Sequence, residues 1–454
     1  MATVAATASK GGDVPKDVKL PPIERFTTKD GLGVIAVARG PLPLVSLRLV
    51  IRAGSAMDPP GKAGLADFTA RVMRRGTKKL SADQIDEAIE FVGAQLGIGV
   101  SEDGFSCSIS APADKLDDML QVMAQLIREP SFPEAEVQSA KSRTLAQLAN
   151  DMDDPATVAD RAFTKALWGD HPYAHDPGGN KQDIQSFTRD DLVRFHKERL
   201  GPKISTLFVV GAIDPEKLKV SVDKAFAGWT GGPTEVAPPP TFKELPNAGQ
   251  IIVVDKPEQT QSQVRIGGIG MRKGHEDSIP SVVMNTSLGG GFTSRLVNEV
   301  RVNRGLSYGV GSYFAGLAAG GYFEISTFTK NETTKEIIDV ALAEVAKVKQ
   351  KGLTPRELKT AKTYVSGLYP LRLETNEAVG GSLADIWLYG LGNDWVEKYR
   401  SRVAEVTPAR VNEVSQRYLA LDKPLIVVVG KASAIVPQLK AFGPVKVLKV
   451  AELE

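Results

Sequence analysis

The chain has 454 residues, of which 42% are hydrophobic and 24% charged, and its net charge at neutral pH is +2. A chain of this length is too long to fold around one hydrophobic core, so we predict two to four domains. The hydrophobic and charged fractions are typical of a soluble globular protein. A net charge so close to zero gives no field that would attract nucleic acid or an anionic membrane. No run of about 18 apolar residues is present to span a bilayer. We therefore predict neither a nucleic acid nor a membrane as a partner.

Residues 1–22 are predicted to form a flexible leader. Residues 1–19 are rich in Ala, Gly and Lys and contain no apolar stretch of the kind found in a signal peptide. Such a leader is what remains when a start methionine replaces an export signal, and it equally fits a native cytosolic N-terminus. We favour a periplasmic location, with the cytoplasm as the alternative.

The first half of the chain alternates between strand and helix patterns. Strands rich in β-branched residues are predicted at 33–37, 44–51 and 205–211, and alternating strands at 95–100 and 105–110. Helical periodicity is found within 61–77 and at 81–92, 113–128, 133–151 and 190–199. Hairpins join most of the strands, so we predict the α+β class, with an antiparallel sheet backed by helices. The single cysteine, Cys107, is predicted to be a half-buried residue of the strand at 105–110.

The helix within 61–77 has one apolar face, formed by Leu65, Phe68 and Val72 at helical spacing. Its sequence, Gly-Leu-Ala-Asp-Phe-Thr-Ala-Arg-Val-Met, resembles the signature helix of the pitrilysin/insulinase family of zinc metallopeptidases. In that family Gly-Leu-Ala is followed by His-x-x-Glu-His. The frame of the motif is kept here, whereas its chemical groups are replaced.

Four residues stand at the positions where the resemblance implies a zinc site: Asp67, Ala70, Arg71 and Gln147. The first three replace His, Glu and His of the signature, and Gln147 aligns with a ligand Glu that precedes an Asp-Asp-Pro turn, here at 153–155. Ala has no lone pair to offer and Arg repels a cation, so we predict no metal on this chain. Asp67 and Arg71 are four residues apart, which allows either an ion pair on one helix face or two separately solvated charges.

A proline- and glycine-rich segment at 231–246 divides the chain into two similar halves. Glu136 and Glu357, each shortly after a Pro, lie 221 residues apart, and the helix-opening Thr188 and Thr407 lie 219 residues apart. A nearly constant offset over two separated pairs predicts a duplicated domain. We therefore predict a leader at 1–22, an N-terminal domain at 23–230, a linker at 231–246 and a C-terminal domain at 247–454.

A second motif follows in the C-terminal half, at 287–308. Three glycines, Gly289, Gly290 and Gly291, precede a helix with Leu296 and Val300 as its apolar stripe. Thr293 or Ser294 is predicted to cap this helix and Gly305 to end it. The stretch resembles the glycine-rich loop, the Ser-Arg-Leu helix and the Arg-Gly-Leu-x-Tyr turn of the same family, and the resemblance places Arg304 and Tyr308 at the Arg and the Tyr of that turn.

The resemblance implies a role for this pair. In bacterial members built from two different chains, the Arg/Tyr pair lies on the chain without the metal motif and reaches a substrate held at the partner's zinc. A guanidinium and a phenol hydroxyl are suitable hydrogen-bond donors for a peptide carbonyl. Three glycines before a helix also suit a phosphate, but no Gly-Lys-Ser/Thr follows, so we favour a backbone edge that a peptide can approach closely.

Two further groups of residues have alternative interpretations. The cluster Arg71, Arg74, Arg75, Lys78 and Lys79 is either a solvated helix end or a surface that docks an acidic partner. The two histidines of His-Pro-Tyr-Ala-His at 171–175 are spaced like a metal pair on a helix. The Pro between them favours a structural turn instead.

The resemblance extends over about 23–442 and implies two homologous α+β domains that form half of a clam-shell chamber. It implies a non-catalytic, substrate-binding subunit of a heteromeric zinc metallopeptidase, with a peptide as substrate and a homologous zinc-bearing subunit as partner. No cofactor is expected on this chain, and zinc is expected on the partner chain. The alternative is a structural, core-protein-like subunit of a larger complex that binds no peptide.

Overall fold

The computed structural model describes residues 17–242, 244–419 and 421–453. Within these ranges the strands are β1 Ile23–Thr27, β2 Gly33–Ala38, β3 Leu44–Ile51, β4 Gln95–Val100, β5 Phe105–Pro112, β6 Ser205–Gly211, β7 Ile251–Asp255, β8 Gln261–Ile269, β9 Val310–Gly316, β10 Gly321–Lys330, β11 Leu425–Gly430 and β12 Val445–Lys449. The helices are α1 Leu65–Met73, α2 Ala82–Glu90, α3 Leu116–Arg128, α4 Glu134–Asp153, α5 Pro155–Trp168, α6 Lys181–Ser186, α7 Arg189–Arg199, α8 Pro215–Ala225, α9 Ser278–Asn285, α10 Thr334–Lys351, α11 Pro355–Leu368, α12 Asn376–Tyr389, α13 Tyr399–Glu405, α14 Pro408–Tyr418 and α15 Ala432–Leu439.

The strands form two six-stranded sheets of nearly identical order. The first runs β1-β2-β6-β3-β5-β4 and the second runs β12-β7-β11-β8-β10-β9. Most neighbours are antiparallel, as the sequence predicts, but β2 pairs with β6, and β7 with both β11 and β12, in parallel. Both sheets are therefore mixed, because β6 and β11 return to the sheet only after long helical crossovers. The predicted class, α+β with two homologous domains backed by helices, is confirmed.

The duplication extends to individual hydrogen bonds. The ammonium group of Lys141 on α4 donates to the carbonyl of Phe187 at 2.6 Å, and that of Lys362 on α11 donates to the carbonyl of Val406 at 2.9 Å. The two lysines lie 221 residues apart, the same offset as Glu136 and Glu357. Each lysine ties a long helix to the segment that precedes the equivalent helices α7 and α14. The repeat seen in the sequence thus corresponds to a repeated three-dimensional arrangement.

The two halves exchange a helix. Helix α5 of the first half packs on β11 and β8 of the second sheet, where Val158, Phe163 and Leu167 share a core with β7 and β11. Helix α12 of the second half packs on β3 and β6 of the first sheet. The Arg52 guanidinium on the first sheet stacks on the Trp387 ring of α12 at 4.3 Å and donates to its carbonyl at 2.7 Å. Each sheet is therefore covered on one face by a helix from the other half.

The described residues of 231–246 form neither helix nor strand. The carbonyl of Pro240 lies 2.6 Å from Nε2 of His171, and the Phe242 ring lies 4.2 Å from the Trp168 ring. The segment therefore packs against the end of α5.

The predicted flexible leader falls partly outside the described residues, at 1–16. Of the remainder, Asp17 accepts a hydrogen bond from the Ser401 hydroxyl at 2.7 Å, and the backbone amide of Leu20 donates to Glu397. Residues 17–20 therefore contact the second half. Across the part of the chain that the structure describes, no helix is long and apolar enough to cross a bilayer.

Candidate functional site

Helix α1 carries the degenerate motif on a firmly held framework. Its apolar face, including Leu65, Phe68 and Val72, is buried as predicted. The Asp58 carboxylate accepts hydrogen bonds from the backbone N–H groups of Gly64 and Ala66, where the helix begins, with N–O distances of 2.8 Å. Burial raises the pKa of Asp58 to about 7 despite these hydrogen bonds. The helix retains the packing function of the motif.

The charged residues of the motif form an ion pair. Nε of Arg71 lies 2.5 Å from Oδ2 of Asp67, so of the two open interpretations the paired one is confirmed. Burial raises the pKa of the Asp67 carboxyl, and the Arg71 partner lowers it by a smaller amount. On the facing helix α4, the Gln147 amide donates to Asp151 at 2.7 Å.

These residues do not fit a zinc ion. Ala70 has no atom that could coordinate a metal, and the guanidinium of Arg71 places a positive charge where the zinc ion would lie in the motif. Among the described residues, no three His, Cys, Asp or Glu side chains converge in a way that would hold a metal. Ala70, Arg71 and Gln147 instead line one open cleft of about 550 Å³. Asp67 is not a lining residue, but it forms an ion pair with Arg71.

The glycine segment lies in the second half and is not part of this cleft. A π-helical turn, Thr286–Gly290, continues α9, and the Asn285 amide at its start donates to the carbonyl of Ser312 at 2.7 Å. A Cβ atom added to the buried Gly289 would lie 2.3 Å from the Ser312 hydroxyl and 2.7 Å from Leu296. The missing side chain of Gly289 is therefore required by the packing of the chain itself, whereas Gly290 is exposed and Gly291 half-buried.

The helix that follows is irregular. It is π-helical over Val297–Asn303, and Gly305 ends it with φ +62, as predicted. Leu296 and Val300 are buried, also as predicted. The predicted cap is wrong, because no side chain caps this helix: the Ser294 hydroxyl points into the interior and has no partner among the described residues. Arg295 anchors the helix instead, through a two-pronged ion pair with Glu357 at 2.7 and 2.8 Å.

Arg304 and Tyr308 lie at the end of this helix and differ in their surroundings. Nε of Arg304 lies 2.8 Å from Oε1 of Glu299, and its Nη1 lies 3.5 Å from Oε1 of Glu336. The Tyr308 ring is 78% exposed. The Tyr308 side chain is therefore exposed at this helix end, whereas the Arg304 guanidinium is paired with two carboxylates.

A residue that sequence reasoning missed, Arg301, contacts Tyr308 directly. Its guanidinium carbon lies 4.7 Å from the centre of the Tyr308 ring and 5.4 Å from that of the exposed Phe292. Arg301 therefore lies between two aromatic rings, an arrangement favourable for a cation. The available signal was its position three residues before Arg304, one helical turn away.

The other sequence candidates have structural surroundings. Cys107 is fully buried rather than half-buried, because its side chain points from β5 into the core, and burial raises the pKa of its thiol to about 12. His171 contacts the 231–246 segment, whereas His175 lies 3.9 Å from Asp58. A short 3-10 turn separates the two histidines, in agreement with the predicted structural turn.

Comparison with known proteins identifies similar chains over most of this sequence. The family model described as Insulinase (Peptidase family M16) matches residues 34–176, and the model described as Peptidase M16 inactive domain matches residues 186–365. A Streptomyces coelicolor protein named as an uncharacterized zinc protease is 25% identical over 413 residues, which cover 90% of this chain and 89% of that one.

Two further similarities bear on the fold and on activity. A Helicobacter pylori protein named as a non-peptidase homolog is 24% identical over 388 residues, covering 84% of this chain and 88% of its own. The crystal structure of a peptidase M16 inactive domain from Pseudomonas fluorescens superimposes with a TM-score of 0.85 at 27% identity, covering 90% of this chain and 98% of that one. Relatives thus bear both peptidase and non-peptidase names.

Proposed function

Because the chain belongs to peptidase family M16 and its zinc-motif positions hold no set of zinc ligands, we propose that it is the non-catalytic, substrate-binding subunit of a heteromeric zinc metallopeptidase that degrades peptides. The zinc ion belongs to a homologous partner chain, and this chain is inactive alone. Its contribution is the surface around Tyr308, including Arg301, Arg304 and the glycine segment 289–291.

The observation that carries this proposal is the exposed Tyr308 ring beside Arg301. The ring is 78% exposed although it is large and partly apolar, and the arginine side chain lies against it at 4.7 Å. Stacking limits the orientations of the ring, so the phenol hydroxyl is available as a positioned donor to a peptide carbonyl. Such an arrangement suits a surface completed by a second molecule.

Two arginines are candidates for the second donor. Arg304, which the family resemblance points to, has its guanidinium engaged by Glu299 and Glu336. Arg301 has no carboxylate within ion-pair distance among the described residues, so all of its N–H groups remain for a substrate. We propose that Arg301 and Tyr308 bind the substrate directly and that Arg304 supports the same surface.

The test is reconstitution with a zinc-bearing homologous chain and assay of a fluorogenic peptide. We expect no cleavage by this chain alone and cleavage by the complex. Tyr308→Phe and Arg301→Ala are each expected to lower kcat/KM by about 10-fold to 100-fold, which corresponds to the loss of one hydrogen bond worth about 1.4–2.8 kcal/mol. The matched control is Arg194→Ala, since Arg194 is exposed on α7 in the other half. Size-exclusion chromatography establishes that each variant still assembles.

Three results decide between the candidates. Cleavage by the lone chain, or unchanged cleavage after both substitutions, contradicts the proposal. A larger loss for Arg304→Ala than for Arg301→Ala would assign the direct contact to Arg304. The alternative function is a structural, core-protein-like subunit, and the engagement of Arg304 by two carboxylates favours it. It predicts that the complex assembles and that Tyr308→Phe does not change peptide cleavage.

A further inference from the structure

The open cleft beside the degenerate zinc motif is lined by an unusual number of positively charged residues. It lies between α1, the edge strand β4 and α4, and has a volume of about 550 Å³. Four arginines line it, and the lining residues described include no carboxylate: Arg71, Arg74, Arg75 and Arg143.

Three of these arginines have acidic partners that are not among the lining residues of the cleft. Arg71 pairs with Asp67, Arg74 with Asp86 at 3.0 Å, and Arg75 with Glu136 at 2.9 Å. Arg143 differs from them, since its one hydrogen bond among the described residues goes to the Ser139 hydroxyl, at 2.6 Å. Three carboxylates are therefore paired with three of the four guanidinium groups, and this set of side chains keeps one surplus positive charge.

Hydrogen-bond donors remain available inside the cleft. A guanidinium has five N–H donors, and Arg71 uses only Nε in its bond to Asp67 among the described residues. Arg143 is exposed and, among the described residues, uses one nitrogen only, in its bond to the Ser139 hydroxyl. The cleft therefore presents both charge and unfilled donors to an incoming anion.

Apart from Thr144 and Gln147 of α4, the remaining lining residues are apolar. Leu96, Gly97 and Ile98 of β4 contribute one side, with Ala70 and Ala140 on the helices. Such a wall contacts the methylene groups of acidic side chains while the arginines contact their carboxylates. Both features together favour a polypeptide rich in Asp or Glu over a free inorganic anion.

We propose that this cleft binds an acidic peptide segment, through its side-chain carboxylates. The site lies entirely in the first half of the chain and includes neither Arg301 nor Tyr308, so it is independent of the function proposed above. Loss of the zinc ligands has, on this proposal, converted a metal site into a carboxylate site. Binding depends on ionic strength, since the arginines remain partly accessible to solvent.

The experiment measures fluorescence anisotropy of a labelled Glu/Leu peptide with the full chain and compares a peptide of the same length in which Gln replaces Glu. We expect the Glu peptide to bind at least about tenfold more tightly, which is about 1.4 kcal/mol. Arg143→Gln is expected to weaken binding of the Glu peptide by about tenfold, and Arg143→Glu by more. Arg194→Gln is the matched control, and it is expected to leave binding unchanged, because Arg194 is exposed on α7 away from the cleft lining.

Several outcomes overturn the proposal. Equal affinity for the Glu and Gln peptides would exclude recognition of carboxylates. Unchanged affinity in Arg143→Gln and Arg143→Glu, with the thermal unfolding temperature of each variant at the wild-type value, would place the peptide elsewhere. Displacement of the peptide by inorganic phosphate, beyond what sodium chloride achieves at the same ionic strength, would identify a small-anion site instead.

Discussion

The connection between β3 and β4 and the connection between β8 and β9 occupy equivalent places in the two halves but have different surfaces. The first contains two regular helices, α1 and α2, and borders the basic cleft. The second contains two π-helical turns, three consecutive glycines and the exposed Tyr308. Both keep an Arg–Glu pair at matching positions, Arg75 with Glu136 and Arg295 with Glu357. Duplication has preserved the anchoring pair while the surface beside it changed.

The irregular helices of the second half are the clearest difference. A π-helical turn adds a residue to the helical repeat, and such turns are frequent at functional sites. In this chain the first π-helical turn contains Gly289 and Gly290, and the second contains Arg301. The regular counterpart α2 begins with a full capping box between Ser81 and Gln84. Local regularity is therefore kept in α2 and lost in the segment that presents Arg301 and Tyr308.

The largest expected effect tests whether the glycine segment is required by packing. Gly289→Ala would place Cβ against Ser312 and Leu296, and overpacking of this kind costs about 1–3 kcal/mol. Urea unfolding measures the loss. The matched control is Gly367→Ala on the exposed face of α11, where no atom lies within 4 Å of the added Cβ, and a gain of up to about 1 kcal/mol is expected. A stable Gly289→Ala variant would contradict the packing role.

The next effect compares the two Arg–Glu pairs. Glu357 receives both prongs of Arg295 and also the backbone N–H of Thr354, at 2.7 Å. Glu357→Gln is expected to cost about 1–2 kcal/mol of unfolding free energy at pH 7, given the partial exposure of the pair. Glu136→Gln is expected to cost below about 1 kcal/mol, because Arg75 keeps Asp86 at 3.6 Å. Equal losses would remove the distinction between the pairs.

The same pair predicts a dependence on pH. Hydrogen bonding from Arg295 lowers the pKa of Glu357 to about 2, below its usual value of 4.5. A carboxylate with a lowered pKa contributes stability above its usual pKa and loses it as the pH falls toward the folded-state pKa. The difference in stability between wild type and Glu357→Gln is therefore constant from pH 7 to about 5 and shrinks between about 4.5 and 2. Thermal unfolding across this range measures it, and a difference that grows in acid would contradict the sign.

The smallest effect compares the helix starts. Ser81→Ala removes a side-chain cap from α2 and is expected to cost about 1 kcal/mol. Ser294→Ala removes a buried hydroxyl that has no partner among the described residues, so we expect no loss or a gain of a few tenths of a kcal/mol. Chemical unfolding of both variants checks the pair of expectations. A loss at Ser294 as large as that at Ser81 would show that its hydroxyl is hydrogen-bonded in solution.

The sequence was sufficient for those features that depend on short-range patterns. The apolar stripe of α1 and the constant offset between Glu136 and Glu357 correctly predicted a buried helix and a duplicated domain. The π-helical turns could not be predicted, since seven residues are too few to separate a helical period of 3.6 from a longer one. The ion pair of Asp67 and Arg71 was one of two outcomes that the same spacing allows. Arg301 was missed because its partner rings, Phe292 and Tyr308, meet it only after the loop folds.

The exchange of α5 and α12 makes the two halves inseparable. A half expressed alone would carry one helix without its sheet and one sheet without its helix, so both apolar faces would be open to water. A backbone cut within 231–246 removes one covalent link but none of these contacts. The nicked chain is therefore expected to remain a complementing pair of fragments, and neither half is a module that evolution can transfer or discard without the other.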